Sequence, residues 1–526
     1  MKRDIAAAIV FACAGAAGHL AAQAGVDRGA FLLRLGTDTI VIERFARSGD
    51  TLQGSIAIKG QPRQDYVATI GPLNTILTLT LDVFRDGVTD GAPLQRVLVT
   101  MTRDSAFATV GGVVQRLASA PGAIALINNS FALSEQFTRR ARTIGGTVTI
   151  PGWALTGGTI MPVTVRPVGS DSMVIAVGAT ESRLRVDPVG RILGGVIAAQ
   201  HLDLIRVDGA VAATLKLGKS DYSAPAGAPY TATEVTLPGP GGFTLGGTLT
   251  VPSRASGKVP AVVTITGSGQ QDRDEYIPVG GGYRPFRQVA DTLGRRGIAV
   301  LRLDDRTVGL SGGKIGTSAD YADDIRAAIA YLRTRPEIDA ERIAILGHSE
   351  GGLIGPMVAA GDPRLKAIVV MAGPAYNGLD IIHYQQRNGV ESDSTIRPAV
   401  RDSVLRAAAR SLDSLARVSP WMDFFLKYDP LPAARRVRVP ALILQGATDH
   451  QVTPEQATKL ADAMRAGGNR DVTVRVFPEL DHLFVLDPSG QPSGYATLKS
   501  ARVSTSVLGA LADWLVERLA VKKTIP

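Results

Sequence analysis

Between Gly25 and about Lys219, hydrophobic and polar positions tend to alternate with a period of two. Thr39-Ile40-Val41-Ile42-Glu43-Arg44-Phe45 is one strand candidate, and Leu77 to Val83 alternates cleanly. Val97 to Met101 and Met173 to Val177 follow the same rule, which puts every second side chain on one face of a strand. Gly, Asp and Pro separate the runs, as at Asp86-Gly87 and Asp90-Gly91. The spacing predicts many short strands in an antiparallel sandwich or barrel. One segment departs from it. After Ser130, the residues Phe131, Leu133, Phe137, Ala141 and Ile144 approximate one helical face, which predicts a single helix.

The period changes beyond a small, Pro-rich stretch, Ser223 to Pro229, which reads as a linker over residues 221–232. Strands now alternate with amphipathic segments. Phe243 to Val251, Val259 to Thr266, Ile298 to Leu303, Arg342 to Leu346, Ala367 to Met371, Ala441 to Leu444 and Val472 to Phe477 are the strand candidates. Val259 to Thr266 is almost wholly apolar, as expected of a strand buried on both faces. Pro285 to Arg296 and Ala319 to Thr334 read as helices between them. This is the signature of an α/β unit: a mostly parallel sheet flanked by helices. The chain therefore divides into a mainly β region, 25–220, and an α/β region, 233–526.

Composition narrows the function. The 526 residues suffice for two or three domains, and 45% hydrophobic with 20% charged residues is ordinary for a folded protein. The net charge of +9 is spread along the chain, with no basic run interleaved with aromatics, which argues against nucleic-acid binding. Met1-Lys2-Arg3, the apolar stretch Ile5 to Leu20 and Ala22-Gln23-Ala24 fit a cleaved secretory leader over residues 1–24. That predicts a secreted or periplasmic protein. Cys13 is the only cysteine and lies in this leader, so the mature chain would have no thiol to serve as nucleophile or metal ligand. No later stretch is long and apolar enough for a membrane span. The β region holds a single histidine beyond the leader, His201, and no metal-ligand spacing, so no transition-metal site is expected there.

The chemistry concentrates in the second region. Gly347-His348-Ser349-Glu350-Gly351 follows the apolar run Ile343 to Leu346 and precedes a helix of small apolar residues. A strand, a sharp turn and a helix are what a Gly-x-Ser-x-Gly nucleophile needs. Ser349 is thus the candidate nucleophile. Its hydroxyl needs a base, and three histidines follow it: His383, His450 and His482. His482 comes just after a strand, in Leu480-Asp481-His482-Leu483-Phe484, and is the candidate base. Asp449, directly after the buried run ending in Leu444-Gln445-Gly446, is the candidate acid; Asp481 is its rival but adjoins the base in sequence. The oxyanion needs two main-chain donors: Glu350, and Ser268 in the loop Gly267-Ser268-Gly269-Gln270-Gln271-Asp272, with Gly269 as the fallback. Asp272-Arg273-Asp274 and Asp304-Asp305-Arg306 read either as ion-pair networks or as substrate contacts.

The blocks Thr266 to Asp274, Leu303 to Arg306 with Gly309 and Ser311-Gly312, Gly347 to Gly352, and Asp481 to Phe484 are together specific. Through them the chain from about Thr233 to Ile525 resembles the secreted α/β-hydrolase-fold esterases related to dienelactone hydrolases and serine aminopeptidases. The resemblance implies ester hydrolysis through an acyl-enzyme, without metal or cofactor, on a Ser349, His482 and Asp449 triad. Thr307 departs from it, standing where those proteins have Gly. Residues 375–435 read as a helical cap insertion, in which Trp421, Phe424, Phe425 and Tyr428 either line a substrate pocket or form the insertion's own core. The expected partner is a small-molecule ester. A serine peptidase of the same fold, or an inactive binding protein, are the alternatives. The chain shows no acidic pair on a separate propeller domain to hold a peptide amino terminus.

Overall fold

The computed structural model describes residues 26–85, 91–155, 158–177, 180–218, 220–253, 257–279, 282–394, 396–498 and 502–521. The expected leader, 1–24, with Cys13, and the Asp86-Gly87 turn lie outside them.

Among the described residues, fifteen strands, β1 to β15, lie between Asp27 and Asp208 in one sheet. Its middle is β1 (Asp27–Leu35), paired antiparallel with β2 (Asp38–Ser48) on one side and β15 (Leu202–Asp208) on the other. Its ends are β8 (Val113–Ala118) and β9 (Ile124–Leu126). β8 approaches β11 (Thr159–Pro167), and β9 approaches β5 (Ile76–Phe84). The two arms of the sheet thus approach each other, and a single sheet stands where an antiparallel sandwich or barrel is expected. The predicted helix is α1 (Phe131–Ile144), and Phe137 packs with Phe31, Leu52, Tyr66 and Trp153 in a shared core. Ile144 overhangs that core at the last turn and is exposed. Inside the core, the Glu43 carboxylate accepts hydrogen bonds from the Tyr66 and Ser130 hydroxyls and from the Phe131 and Ala132 N–H groups. These bonds satisfy donors at the helix start that burial would otherwise leave unpaired. A short helix, α2 (Gly209–Thr214), follows β15.

The second unit has the α/β-hydrolase fold. Its sheet runs in the order β16 (Tyr230–Pro238), β17 (Thr244–Pro252), β19 (Ala299–Leu303), β18 (Val259–Ile265), β20 (Ile338–His348), β21 (Ala367–Met371), β22 (Ala441–Gly446) and β23 (Val472–Phe477). The pairings are parallel from β19 to β23 and antiparallel at β16 and β17. α3 (Pro285–Arg295) and α11 (Thr505–Arg518) cover one face. α4 (Ser318–Thr334), α5 (Glu350–Ala359) and α10 (Glu455–Ala466) cover the other. β16 begins at Tyr230, inside the expected linker. The Tyr230 ring lies over Gly294, where a Cβ would come within 2.8 Å of it, and its hydroxyl donates to Asp291 at 2.6 Å. The linker is docked upstream as well: the Tyr222 hydroxyl donates to Asp272 at 3.0 Å, and the Arg273 guanidinium lies over its ring at 4.3 Å.

Between β21 and β22 lie α6 (Gly378–Ser392), α7 (Pro398–Val418), α8 (Pro420–Lys427) and α9 (Leu431–Ala434). α6, α7 and α8 pack on one another through Ile382, Leu412, Leu415 and Met422. The loops after β18, β20, β22 and β23 leave the same edge of the parallel sheet, where open α/β sheets place their ligands.

Candidate active site

Between β20 and α5 stands one residue, Ser349, with φ 53° and ψ −119°. So abrupt a turn needs bare backbone on either side. A Cβ on Gly347 would lie 2.0 Å from the Gly351 carbonyl oxygen, and one on Gly351 would lie 2.1 Å from that of Ile265. The Ser349 N–H donates to the Met371 carbonyl at 2.9 Å, which fixes the turn to the neighbouring strand.

The structure brings Ser349, His482 and Asp449 together from three different loops. His482 Nε2 lies 3.0 Å from Ser349 Oγ, and His482 Nδ1 lies 2.8 Å from Asp449 Oδ2. Asp449 is buried, and three further donors hold its carboxylate: the Gln445 side-chain amide and the Gln451 and Val452 N–H groups. An acceptor fixed in this way keeps the imidazole proton on Nδ1 and leaves the Nε2 lone pair toward the serine. Asp481 faces elsewhere: its Oδ1 accepts the N–H groups of Leu483 and Val485 and so shapes the loop that carries His482. Burial pushes the Asp481 pKa up to about 6. His383 is exposed on α6, and His450 hydrogen-bonds the Tyr384 hydroxyl at 3.0 Å.

Gly267, Ser268 and Glu350 line the same cavity as Ser349. A Cβ on Gly267 would sit 3.3 Å from that of Ser349, a tight approach, so glycine lets this loop pass close to the serine without a shift. Glu350 is the first residue of α5, and its N–H has no acceptor within the helix. Its side chain is buried, and Oε1 accepts from Ser318 Oγ at 2.6 Å and from Trp421 Nε1 at 2.8 Å. Burial raises the Glu350 pKa, against the lowering effect of bonds from Ser318, Trp421 and Ser268.

The cavity has a volume of ≈360 Å³. Trp421, Phe425, Ile381 and Ile382 of the cap line it. Trp421 stacks on Phe425 with ring centroids 5.6 Å apart. Phe424 instead stacks on Tyr428 at 5.2 Å, and Tyr428 packs on the main core. Trp421 thus serves both expected uses, lining the cavity and packing in the cap's own core, Phe425 lines the cavity from the main core, and Phe424 and Tyr428 stack apart from the cavity lining.

The acidic and basic clusters are networks of ion pairs. Arg273 spans both oxygens of buried Asp304, at 3.0 and 2.6 Å, and also donates to Thr248. Asp274 pairs with Arg302, and Arg306 pairs with Asp324 at 2.7 Å. Asp305 accepts from Thr266 Oγ1 and from the Gln271 N–H, and burial holds its pKa well above the usual carboxylate range. Thr307 adopts φ 74°, the left-handed conformation that favours glycine, so it takes up the backbone shape of the residue it replaces.

The sequence reading passed over one buried pair. His348 Nδ1 lies 2.6 Å from Glu275 Oε1, and His348 Nε2 lies 3.0 Å from the His482 carbonyl oxygen. His348 stood within the Gly-x-Ser-x-Gly element, and Glu275 is the next residue after the block Thr266 to Asp274. Glu275 reaches inward from a left-handed turn, φ 56°, which no hydropathy pattern signals. Among the described residues, no group of three or more His, Cys, Asp or Glu side chains could hold a metal ion.

Residues 276–492 match the alpha/beta hydrolase family. Esterase EstD of Thermotoga maritima is 29% identical over 283 residues, which cover 52% of this chain and 66% of that protein. The mitochondrial acyl-coenzyme A thioesterase 2 of Rattus norvegicus is 29% identical over 217 residues, covering 40% of this chain and 44% of the thioesterase. The chain thus spans just under two thirds of the esterase and less than half of the thioesterase. A solved esterase structure from Pyrococcus furiosus aligns with a TM-score of 0.40 and 17% identity, over 58% of this chain and 96% of that one.

Proposed function

Taking the α/β-hydrolase fold as premise, we propose that this chain is a secreted or periplasmic serine esterase. It would cleave carboxylic esters through an acyl-enzyme on Ser349. The observation that carries this reading is the unbroken chain of contacts from Ser349 Oγ through the His482 ring to Asp449. His482 Nε2 takes the serine proton as Oγ attacks the ester carbonyl. The carbonyl oxygen becomes an oxyanion, which the N–H groups of Ser268 and Glu350 receive. As the tetrahedral intermediate collapses, His482 hands its proton to the leaving alcohol. Water then attacks the acyl-enzyme by the same route and frees the acid.

The cavity wall supports an uncharged ester over a coenzyme A thioester. Among the described residues no Lys or Arg lines the cavity around Ser349, whereas Glu275 and Glu350 do. A ligand rich in phosphate would meet acidic groups there and no Lys or Arg to pair with. In this reading residues 25–220 are an accessory domain and 233–526 the catalytic domain, with 375–435 its cap.

The test is a substrate panel on the purified mature chain: p-nitrophenyl esters of rising acyl length, acyl-coenzyme A thioesters and aminoacyl p-nitroanilides, with Ser349→Ala in parallel. Turnover of the esters that vanishes in Ser349→Ala is expected. Faster turnover of thioesters or anilides would assign a different substrate class. Full ester turnover by Ser349→Ala would refute the mechanism.

A further inference from the structure

The triad leaves unused a second histidine and a second carboxylate that are buried directly beside it. His348 is 2% and Glu275 2% exposed. They join three segments that sequence separates: Glu275 belongs to the loop after β18, His348 ends β20, and His482 belongs to the loop after β23. His348 lies between a carboxylate oxygen at Nδ1 and a main-chain carbonyl at Nε2. A carbonyl only accepts, so Nε2 must carry a proton and donate it to the His482 carbonyl. A carboxylate also only accepts, so with Glu275 ionised both ring nitrogens carry protons and His348 is an imidazolium.

The surroundings agree with that state. Burial works against a charge on His348, but the Glu275 charge and hydrogen bond and the His482 carbonyl outweigh it and raise its pKa above the ordinary value. The titratable groups facing the pair are Asp449 from the loop after β22, Asp481 and His482 from the loop after β23, Asp305 after β19, and Tyr283 before α3. All except His482 are acids, so none competes as a cation. The ring centroids of His348 and His482 are 5.0 Å apart.

Resting on the triad reading above, we propose that Glu275 and His348 are positioning residues. Together they hold the main chain of His482 so that its ring meets Ser349, and the His348 charge disfavours a second positive charge on His482. Glu275 and the His482 carbonyl sit on different nitrogens of the His348 ring, so His348 is the member of the pair in contact with His482. Glu275 also packs against the oxyanion loop: a Cβ on Gly267 would come 3.0 Å from Glu275 Oε1. The pair thereby joins the proposed oxyanion loop, the serine turn and the base loop.

The test is the pH dependence of short-chain ester hydrolysis by the full mature chain carrying Glu275→Gln, Glu275→Asp or Ser349→Ala. In Glu275→Gln, His348 loses its charge partner and becomes neutral near pH 7. The expected result is a fall in kcat of about 10- to 100-fold with KM changed less than about twofold, because the His482 ring is then held less closely in line with Ser349. The acid midpoint of the kcat/KM profile is expected to move to higher pH, because His482 then gains a proton more readily. Glu275→Asp, which retains the charge, is expected to recover part of kcat and to return the midpoint toward wild type. A midpoint that stays in place in a folded Glu275→Gln protein overturns the proposal, whatever happens to kcat. If that variant does not fold, Glu275→Asp decides: kcat and midpoint both at wild-type values overturn it, whereas a lowered kcat at unchanged KM supports it. Activity remaining in Ser349→Ala would instead mean that the triad reading itself has failed.

Discussion

The Trp421 indole N–H donates to the Glu350 carboxylate at 2.8 Å, so the cap is fastened to the residue that follows Ser349. A neutral hydrogen bond contributes about 0.5–1.5 kcal/mol net, and one to a charged group about 1.5–3 kcal/mol. The contact therefore suffices to bias the position of α8. Trp421→Phe keeps an aromatic ring against Phe425 but removes the donor. Glu350 retains its Ser318 partner, so the variant is expected to fold. KM for bulky acyl esters should rise several-fold while turnover of acetate esters changes little. Equal losses for acetate and bulky esters would show that Trp421 supports the site as a whole and does not form the acyl pocket.

The three residues proposed to carry the reaction make a sharper prediction. Ser349→Ala and His482→Ala are each expected to lower kcat by on the order of 10⁶ without unfolding the protein. Asp449→Asn should cost on the order of 10⁴, since the amide favours the wrong imidazole tautomer. His383→Ala and His450→Ala should stay within a few-fold of wild type. Steady-state kinetics beside thermal melting separates the cases, and a His450→Ala loss comparable to that of His482→Ala would contradict the assignment of the base.

These residues were legible because their signals are local. Ser349 announces itself by two glycines and an apolar strand. Asp449 and His482 each follow a strand that hydropathy already marks, and a parallel sheet must send such loops to one edge. What escaped depends on pairing over distance. Phe31 has Glu43 opposite it on one side and Arg206 on the other, and nothing local in any of the three shows that β1 would be the middle of a single sheet. The Glu275 and His348 contact is of the same kind, since it joins a left-handed turn to a strand end 73 residues away. Tyr230 falls in the expected linker, with Pro and Ala preceding it, yet its ring covers Gly294 and the residue begins a strand.

Asp481 offers a test by stability rather than activity. Its pKa in the folded chain is about 6, raised mainly by burial from an ordinary value of 3.8. An acid with a raised folded pKa binds protons more tightly in the native state. Its contribution to stability is therefore best at low pH, and a penalty builds as pH rises from about 4 to 6 and stays above that. Asp481→Asn removes the charge and retains an oxygen for the Leu483 and Val485 N–H groups. The variant should melt higher than wild type at pH 8, by a margin that shrinks toward pH 4. A margin independent of pH would show that the ionised carboxylate carries no such penalty. Ester turnover is expected to remain far above that of Asp449→Asn.

The linker yields the last prediction. The Tyr222 hydroxyl donates to Asp272 Oδ2, while Oδ1 of the same carboxylate accepts the N–H groups of Asp274 and Tyr276. Asp272 thus holds the turn from which Glu275 reaches His348, and a residue of the linker completes its hydrogen bonding. Without Tyr222 the nearest remaining partner of Oδ2 is Arg284, at 3.7 Å, too far for a good hydrogen bond. Tyr222→Phe removes only the donor and keeps the ring beneath Arg273. Leaving a buried carboxylate oxygen short of a partner costs about 1–3 kcal/mol. Part of that cost should appear as local opening, because the turn relaxes more easily than the sheet beneath it. Amide hydrogen exchange over residues 272–276 is expected to quicken by about tenfold or more, the equivalent of ~1.4 kcal/mol, while exchange in β20 and β21 stays unchanged. Ester turnover should fall by less than it does in Glu275→Gln, since Tyr222 acts two steps further from His482 than Glu275 does. Unchanged exchange in the turn would mean that the loop keeps its shape without this contact, and that the linker contributes nothing to the site through Tyr222.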